Sequence, residues 1–486
     1  MESAVRRKEA VHICLGDSRM QDRVCTVICS PDIRQWPAPP AAALRWQSRP
    51  LIMVVTACVG ACGVIACAQA PNETTTQAED APPEAPNAEE GPARQPSVDD
   101  NQSESPFSLL STDRLIGDWG GARPRLEEHG FTFEMSLTTY FQQVARGGLN
   151  THNAHNVIGT NDIELTFDLT KMHAVPGGTV YVWASNAWGD SPTTRGWTGD
   201  LFWVNGGEVG DRPIDVHELW YEQALLDDKL LVRLGKLCLS CSFDTNEFAW
   251  DPTTQFINYG LNNAPNIPFP ALAFGALGVQ AFFTPCDWFY AGATVVDADG
   301  DFRETGFRTA FHGRDNFFSM YEFGLTPTFD TAWGKLPGHY RFGLWYDPQP
   351  KEKFYNSLDG RRTTVPLKRD DVGFYLNCDQ VLLREKPDDD ENDEGLGAFL
   401  RYSYAPGDVN LIEHFWSVGA QYQGLLSKDS RLAGVDPHHE TVIETYYRVQ
   451  LLPWLTLTPD MQWILRPGGE NGRDAWVIGL RLQATF

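Results

Sequence analysis

The sequence predicts an all-β fold: a transmembrane antiparallel β-barrel of about sixteen strands, of the outer-membrane type. Three observations point there. Residues 475–486 alternate strictly, with Trp476, Ile478, Leu480, Leu482, Ala484 and Phe486 on one face and Val477, Gly479, Arg481, Gln483 and Thr485 on the other. Successive strand side chains point to opposite faces, so this is a strand with one apolar and one mostly polar side, ending on an aromatic residue. The same period-two pattern recurs along most of the chain. The 486 residues also include 12% aromatics, 16 Trp and 43 Gly, with no second apolar run long enough for a helical span.

The first 114 residues stand outside this pattern. Residues 51–66 (LIMVVTACVGACGVIA) are apolar and small, follow Arg45 and Arg49, and lead into Ala-x-Ala at Ala66–Ala68 and Ala68–Ala70. That is the layout of a secretory signal, with cleavage after Ala68. Cleavage after Ala70 would leave Pro71 at the scissile bond, where its locked geometry fits poorly. Val64-Ile65-Ala66-Cys67 resembles a lipobox, the competing reading. The N-terminal extension plus signal peptide therefore spans 1–68. Its first 44 residues are far longer than a signal needs, which fits a later translation start or a genuine extension. Residues 69–114 form an acidic, Pro-rich linker. Within 71–106 only Val98 is a sizeable aliphatic, too little apolar surface to offset the entropy of ordering, so disorder is expected. The barrel domain is 115–486.

That domain opens on glycine punctuation, Gly117-Asp118-Trp119-Gly120-Gly121, and a short helix stopped by Gly130. Strands follow. Phe133, Met135, Leu137, Thr139 and Phe141 oppose Glu134, Ser136, Thr138, Tyr140 and Gln142; Ile163, Leu165 and Phe167 oppose Asp162, Glu164 and Thr166. Further alternating segments lie near 179–187, 216–225, 229–237, 275–284, 288–296, 305–311, 318–327, 338–346, 371–379, 396–404, 414–424, 441–451 and 454–464. If the last strand runs to the periplasm, odd-numbered gaps face outward. The outward gaps 188–215, 238–274, 380–395 and 425–440 are long, and the inward gaps 226–228, 285–287 and 452–453 are short, as barrels require. The long gap 347–370 breaks the rule.

The longest gap, 238–274, is the third outward one, the position at which general porins fold a loop into the lumen. It carries Asp244, Asn246 and Trp250, polar groups and an aromatic face of the kind that binds sugars. On the polar strand faces, Glu218, Trp220 and Glu222 alternate, with Arg233, Arg341, Trp345 and Arg481 farther along. These ten are the candidates for pore lining and solute contact. Opposed acidic and basic walls would set up a transverse field across the lumen.

Other chemistries find little support. The formal net charge is −25, and the first 70 residues hold eight Arg/Lys against five Asp/Glu, which leaves −28 on the rest. Nucleic acid is not an expected partner of so acidic a chain. Cys238 and Cys241 are candidates for a local disulfide in an oxidising envelope, with metal binding or free thiols as alternatives. The acidic run Asp388-Asp389-Asp390-Glu391-Asn392-Asp393-Glu394, placed outward by the gap count, lacks EF-hand spacing. His438-His439-Glu440 lacks H-E-x-x-H spacing and reads as a loop cluster. No G-x-S-x-G, P-loop or triad stands out, so no catalytic residues, metal or cofactor are expected. A secreted β-rich glycan-binding protein or glycosidase is the alternative, because two carboxylates suffice for glycoside hydrolysis.

An ordered set of motifs resembles the OprB family of carbohydrate-selective porins. It comprises Gly117-Asp118-Trp119-Gly120-Gly121 with Arg123 and Leu126, Glu218-Leu219-Trp220-Tyr221-Glu222-Gln223 running to Arg233-Leu234-Gly235-Lys236, and Phe269-Pro270-Ala271. Leu336-Pro337-Gly338-His339-Tyr340-Arg341-Phe342-Gly343 and Glu444-Thr445-Tyr446-Tyr447 follow. Leu457-Thr458-Pro459-Asp460-Met461-Gln462, Arg466-Pro467-Gly468-Gly469 and Gly479-Leu480-Arg481 complete it. The resemblance spans about residues 115–486. It implies a sixteen-stranded barrel in the bacterial outer membrane through which carbohydrates diffuse passively. Outer-membrane lipids and the barrel-assembly machinery, engaged through the C-terminal strand, are the implied partners, with the chain a monomer or homotrimer. The departures are the N-terminal extension, the acidic linker and the Cys238/Cys241 pair beside Gly235-Lys236.

Overall fold

A computed structural model describes residues 112–208, 210–271, 275–300, 316–354, 366–387, 394–423, 429–435, 440–469 and 473–486. The wall strands are β1 (Phe131–Arg146), β2 (His155–Asp168), β3 (Gly178–Trp188), β4 (Arg212–Leu225), β5 (Leu230–Leu237), β6 (Ala276–Cys286) and β7 (Phe289–Asp297). They continue with β8 (Phe317–Leu325), β9 (Gly334–Asp347), β10 (Asp371–Arg384), β11 (Gly395–Tyr404) and β12 (His414–Gln423). The last four are β13 (Asp429–Val435), β14 (Thr441–Leu452), β15 (Leu455–Leu465) and β16 (Ala475–Thr485). The segment Thr328–Thr331 extends β8 along the same partner, β9. Every strand is antiparallel to the next, and β16 pairs back onto β1, with Gln142 opposite Gly479 and Ser136 opposite Thr485. The pairings among the described residues therefore form a ring of sixteen strands, and the terminal strand joins the first as its alternation anticipates.

Burial along the strands is inverted relative to a water-soluble protein. Large apolar side chains are exposed in a band around the wall, among them Leu234, Val279, Phe323, Phe342, Leu376, Leu400, Val418, Ile478, Leu480 and Leu482. Charged and amide side chains of the same strands are buried inside, including Gln280, Glu322, Asn377, Arg401, Glu444, Gln462 and Arg481. An apolar belt of this extent belongs against lipid, and the polar interior belongs around water and solutes. Among the described residues no helix is long and apolar enough to cross a membrane.

The strand near 305–311 that the alternation suggests lies outside the described residues. The sixteenth strand is instead β13, a stretch placed in a gap by sequence alone. This moves strands β8 to β12 one place earlier in the count and corrects two assignments. The long gap 347–370 now follows β9 and falls on the side of the long loops, so it no longer breaks the barrel rule; a small ladder, Lys351–Glu352 with Leu367–Lys368, lies within it. The gap after β10 now falls on the side of the short turns, where Glu385 N–H donates to Glu394 O at 2.8 Å. The strand count therefore no longer supports an outward placement of the acidic run, whose residues 388–393 lie outside the described residues.

The expected short helix is present as α1 (Ala122–Glu128). Its Arg123 is buried and reaches the seam between the first and last strands, donating to the carbonyls of Phe133 (3.2 Å) and Phe486 (3.1 Å). Its guanidinium lies 4.7 Å from the Trp119 ring centroid, and Leu115 N–H donates to Thr485 O at 2.8 Å. Arg123→Ala removes the donors that bridge the seam, and leaving such partners unsatisfied costs about 1–3 kcal/mol. We expect the variant's heat-modifiable band to unfold at a lower temperature in gel-shift titrations, with single-channel conductance unchanged.

Candidate functional site: the lumen

The segment between β5 and β6 turns into the barrel. It starts at the Cys238–Cys241 disulfide, whose Cα atoms are 5.3 Å apart. Its apolar residues, Phe243, Phe248, Phe256, Leu261, Ile267 and Phe269, are buried against the inner wall and the loop between β3 and β4 (189–211), which is the second of the outward loops and is called the second long loop below. Phe256 packs edge-on against Tyr446 of β14, with centroids 5.1 Å apart. A loop that buries this much apolar surface stays inside the barrel.

Polar struts fix it from β8 round to β1. Asp244 N–H donates to Glu322 of β8 at 3.2 Å, and the Asp244 carboxylate pairs with Arg401 of β11 at 2.9 Å, both residues fully buried. Asn246 Nδ2 donates to Asn377 Oδ1 of β10 at 2.7 Å. Glu444 of β14 accepts from Ile257 N–H (2.6 Å) and Asn258 N–H (2.8 Å), and Asn258 Nδ2 donates to Gln462 of β15 at 3.1 Å. Arg481 of β16 donates to the carbonyls of Pro252 (2.8 Å) and Gln255 (2.6 Å), and Tyr140 of β1 donates to Pro252 O at 3.2 Å. Backbone groups of an irregular loop inside a barrel need partners, and the wall's inward polar residues provide them.

The loop thus lines one half of the lumen and leaves the β2–β5 wall open. Between them lies a cavity of about 700 Å³. Its wall carries two aromatic stacks: Tyr181 on Trp220, centroids 4.9 Å apart, and Trp183 on His217, 4.6 Å apart. Both are cross-strand neighbours of β3 and β4. The register of that pair slips at His217, between the Trp183–Glu218 and Ala184–Val216 partners. The bulge brings both His217 and Glu218 to the cavity, although neighbours in a regular strand face opposite ways. Opposite Trp220 lies Gly235 (φ 146°), where a Cβ would run into the Leu219 carbonyl and the Trp220 backbone. Arg233 then lies with its guanidinium 4.4 Å from the Trp220 ring centroid and pairs with Glu222 at 2.6 Å.

Of the ten candidates, Glu218, Trp220, Arg233 and Trp250 line the cavity. Glu218 accepts from Cys238 N–H at 2.8 Å, and Trp250 Nε1–H donates to Ser240 O at 3.0 Å. Glu222 lies behind Arg233. Asp244, Asn246 and Arg481 are struts between loop and wall. Arg341 is buried and pairs with Asp379 at 2.6 Å, and Trp345 is fully buried beneath the loop. Sequence reasoning did not single out Tyr181, Trp183, His217, Trp203 or Glu208. For Tyr181 and Trp183 a signal existed: two aromatics alternating with Val180 and Val182 on a short strand. Glu208, on the second long loop, accepts from Ser191 N–H at 2.9 Å, and burial pushes its carboxyl above the usual range. Among the described residues no group of three or more His, Cys, Asp or Glu side chains is placed to hold a metal ion.

The family model of the carbohydrate-selective porins of the OprB family matches residues 152–435 and 427–486. The chain belongs to the OprB family. Porin B of Pseudomonas aeruginosa is 21% identical to this OprB-family chain over 436 residues, 76% of this chain and 91% of that protein. The putative porin QuiX of Acinetobacter baylyi is 22% identical over 441 residues, 77% and 94% of the two chains. In fold, a high-pH structure of Pseudomonas putida OprB superposes with a TM-score of 0.65 at 18% identity, covering 77% of this chain and 99% of that one. The OprB assignment makes this a porin of the outer membrane of Gram-negative bacteria, in agreement with the outward apolar belt.

Proposed function

We propose that sugars cross this porin by passive diffusion through the cavity between the inward loop and the β2–β5 wall. The observation that supports this reading is the pairing, on one wall, of stacked aromatic faces with carboxylate and amide groups. Aromatic faces pack on the C–H faces of a sugar ring, and planar polar groups take its hydroxyls. Weak, repeated contacts of this kind allow exit as well as entry. The chain acts as a channel and not as an enzyme. Residues 1–68 direct export and are removed by cleavage after Ala68, and 69–114 act as an acidic spacer. The terminal strand is the segment read by the barrel-assembly machinery, and the barrel works as a monomer or a homotrimer in contact with outer-membrane lipid.

Planar-bilayer recording of purified protein tests this reading. We expect stepwise conductance that added glucose or maltose partly blocks. Trp220→Ala removes one face of the Tyr181 stack, and a stacking contact is worth about 0.5–1.5 kcal/mol, so sugar block should weaken by about two- to twelvefold with conductance retained. A folded barrel without conductance, or one that hydrolyses glycans, would overturn the proposal.

A further inference from the structure

Acceptors dominate the cavity, and we infer, resting on the sugar-passage reading, that it favours cationic sugars, with protonated amino sugars first, neutral sugars next and acidic sugars last. Five carboxylic side chains line it: Asp162 and Glu164 on β2, Glu208 on the second long loop, Glu218 on β4 and Asp251 on the inward loop. Neutral donors hold each of them. Trp183 Nε1–H donates to Asp162 at 3.1 Å, and Tyr181 O–H donates to Glu164 at 2.6 Å. Glu208 and Glu218 accept from the backbone N–H groups of Ser191 and Cys238. Asp251 caps Thr253 and Thr254.

Two arginines also line the cavity, and both have acids beside them that do not. Arg233 pairs with Glu222 at 2.6 Å, and Arg212 approaches Asp215 at 3.9 Å. The basic charge is thus largely matched from within the wall, while the five acids face the lumen.

A second observation points to a donor-bearing ligand. Asn262 on the inward loop is 3% exposed and lines the cavity. Its Nδ2 donates to Phe256 O at 2.8 Å, and its Oδ1 has no partner among the described residues. A buried acceptor needs a donor, and a ring hydroxyl or an ammonium group is one. The ring of Trp183 adds a face that attracts a cation as well as C–H groups. A carboxylate on the solute would meet like charge at several of these positions and would satisfy none of these acceptors.

The test uses the full processed protein at about pH 7. Reversal potentials under a KCl gradient report cation against anion permeability, and liposome swelling compares glucosamine, glucose and glucuronate, which share a ring size. We expect K⁺ to exceed Cl⁻ and swelling to run in the order glucosamine, glucose, glucuronate, with at least about a threefold gap between the two charged sugars from focusing of the field in a narrow lumen. Asp162→Asn combined with Glu164→Gln should narrow that gap, heat-modifiability certifying the fold; if this variant does not assemble, the wild-type selectivity alone decides. A conducting channel that prefers Cl⁻ or glucuronate overturns the charge inference and leaves the sugar-passage reading intact. A folded barrel with no conductance removes both.

Discussion

Arg401→Leu is expected to widen the channel and erase much of its discrimination between solutes while leaving the barrel assembled. Arg401 and Asp244 are both fully buried, and Nε donates to Asp244 Oδ1 at 2.9 Å. Nη1 donates to Leu261 O at 3.1 Å, and Nη2 reaches the carbonyls of Asp244 (3.1 Å), Ala249 (3.1 Å) and Asn262 (3.2 Å). One side chain on β11 therefore ties together four points spread over the inward loop. Removing it strands the Asp244 carboxylate in the interior, and breaking a buried pair from one side costs about 3–5 kcal/mol. The wall does not share this loss, since β11 keeps its ladders to β10 and β12. The loop should leave its seat, and single-channel conductance should rise by at least about twofold as the constriction opens. Asp244→Ala should give the same phenotype, and the double variant should be far from additive, because both changes break one unit. Unchanged conductance in a heat-modifiable Arg401→Leu barrel would show that other struts hold the loop.

The two halves of this site differ in how far the sequence discloses them. Strand faces are local: alternation at Glu218, Trp220 and Glu222 is enough to point Trp220 inward, and Arg233 follows from the next strand. Alternation also presents Arg401 and Arg481 as charges on the inner wall. What it cannot express is that a loop lies between them and the water. The Arg401–Asp244 pair joins residues 157 apart, and Arg481 reaches Pro252 across 229 positions. Such pairings follow from the closure of the ring, which brings β8 to β16 around a loop anchored at β5. Local reading fails elsewhere for a different reason. In β13 the large apolar residues Leu432 and Val435 are three apart, so the segment carries no period-two signal. At His217 a bulge overrides the alternation that assigns it to the outer face. Alternation therefore passes over β13, and the misfit of gap 347–370 is the visible trace of that omission.

The outer loops should loosen as pH rises, with Glu440 as the controlling group. This residue, part of a cluster that has no metal-site spacing, precedes β14 and is fully buried. Its carboxyl accepts from Leu201 N–H (3.1 and 2.9 Å) and Phe202 N–H (3.4 Å) on the second long loop, and from Gly468 N–H (2.7 Å) between β15 and β16. It joins three separate connections on one side of the barrel. These donors favour the ionised form, but burial first and the neighbouring Asp200 second outweigh them and push the Glu440 carboxyl up to about 8. Asp200 is itself pushed up, to about 6, chiefly by burial. A carboxyl whose value is raised in the latched state binds its proton more tightly there than in the open state. The stabilisation is fully present below the ordinary glutamate range and is lost as pH rises through about 8. Protease cleavage within 189–211 should therefore accelerate between about pH 5 and 8.5, and if one pKa unit is expressed as opening, the change is about tenfold. Glu440→Gln keeps an acceptor oxygen and removes the titration near 8, so its cleavage profile should be nearly flat above about pH 7, leaving only the smaller change from Asp200 near 6. Asp200→Asn removes the repelling charge and should move the wild-type midpoint to lower pH. Heat-modifiability should stay constant over the same range, because the strand ladders take no part in the latch. A pH-dependent cleavage rate that persists undiminished in Glu440→Gln would assign the effect to another group.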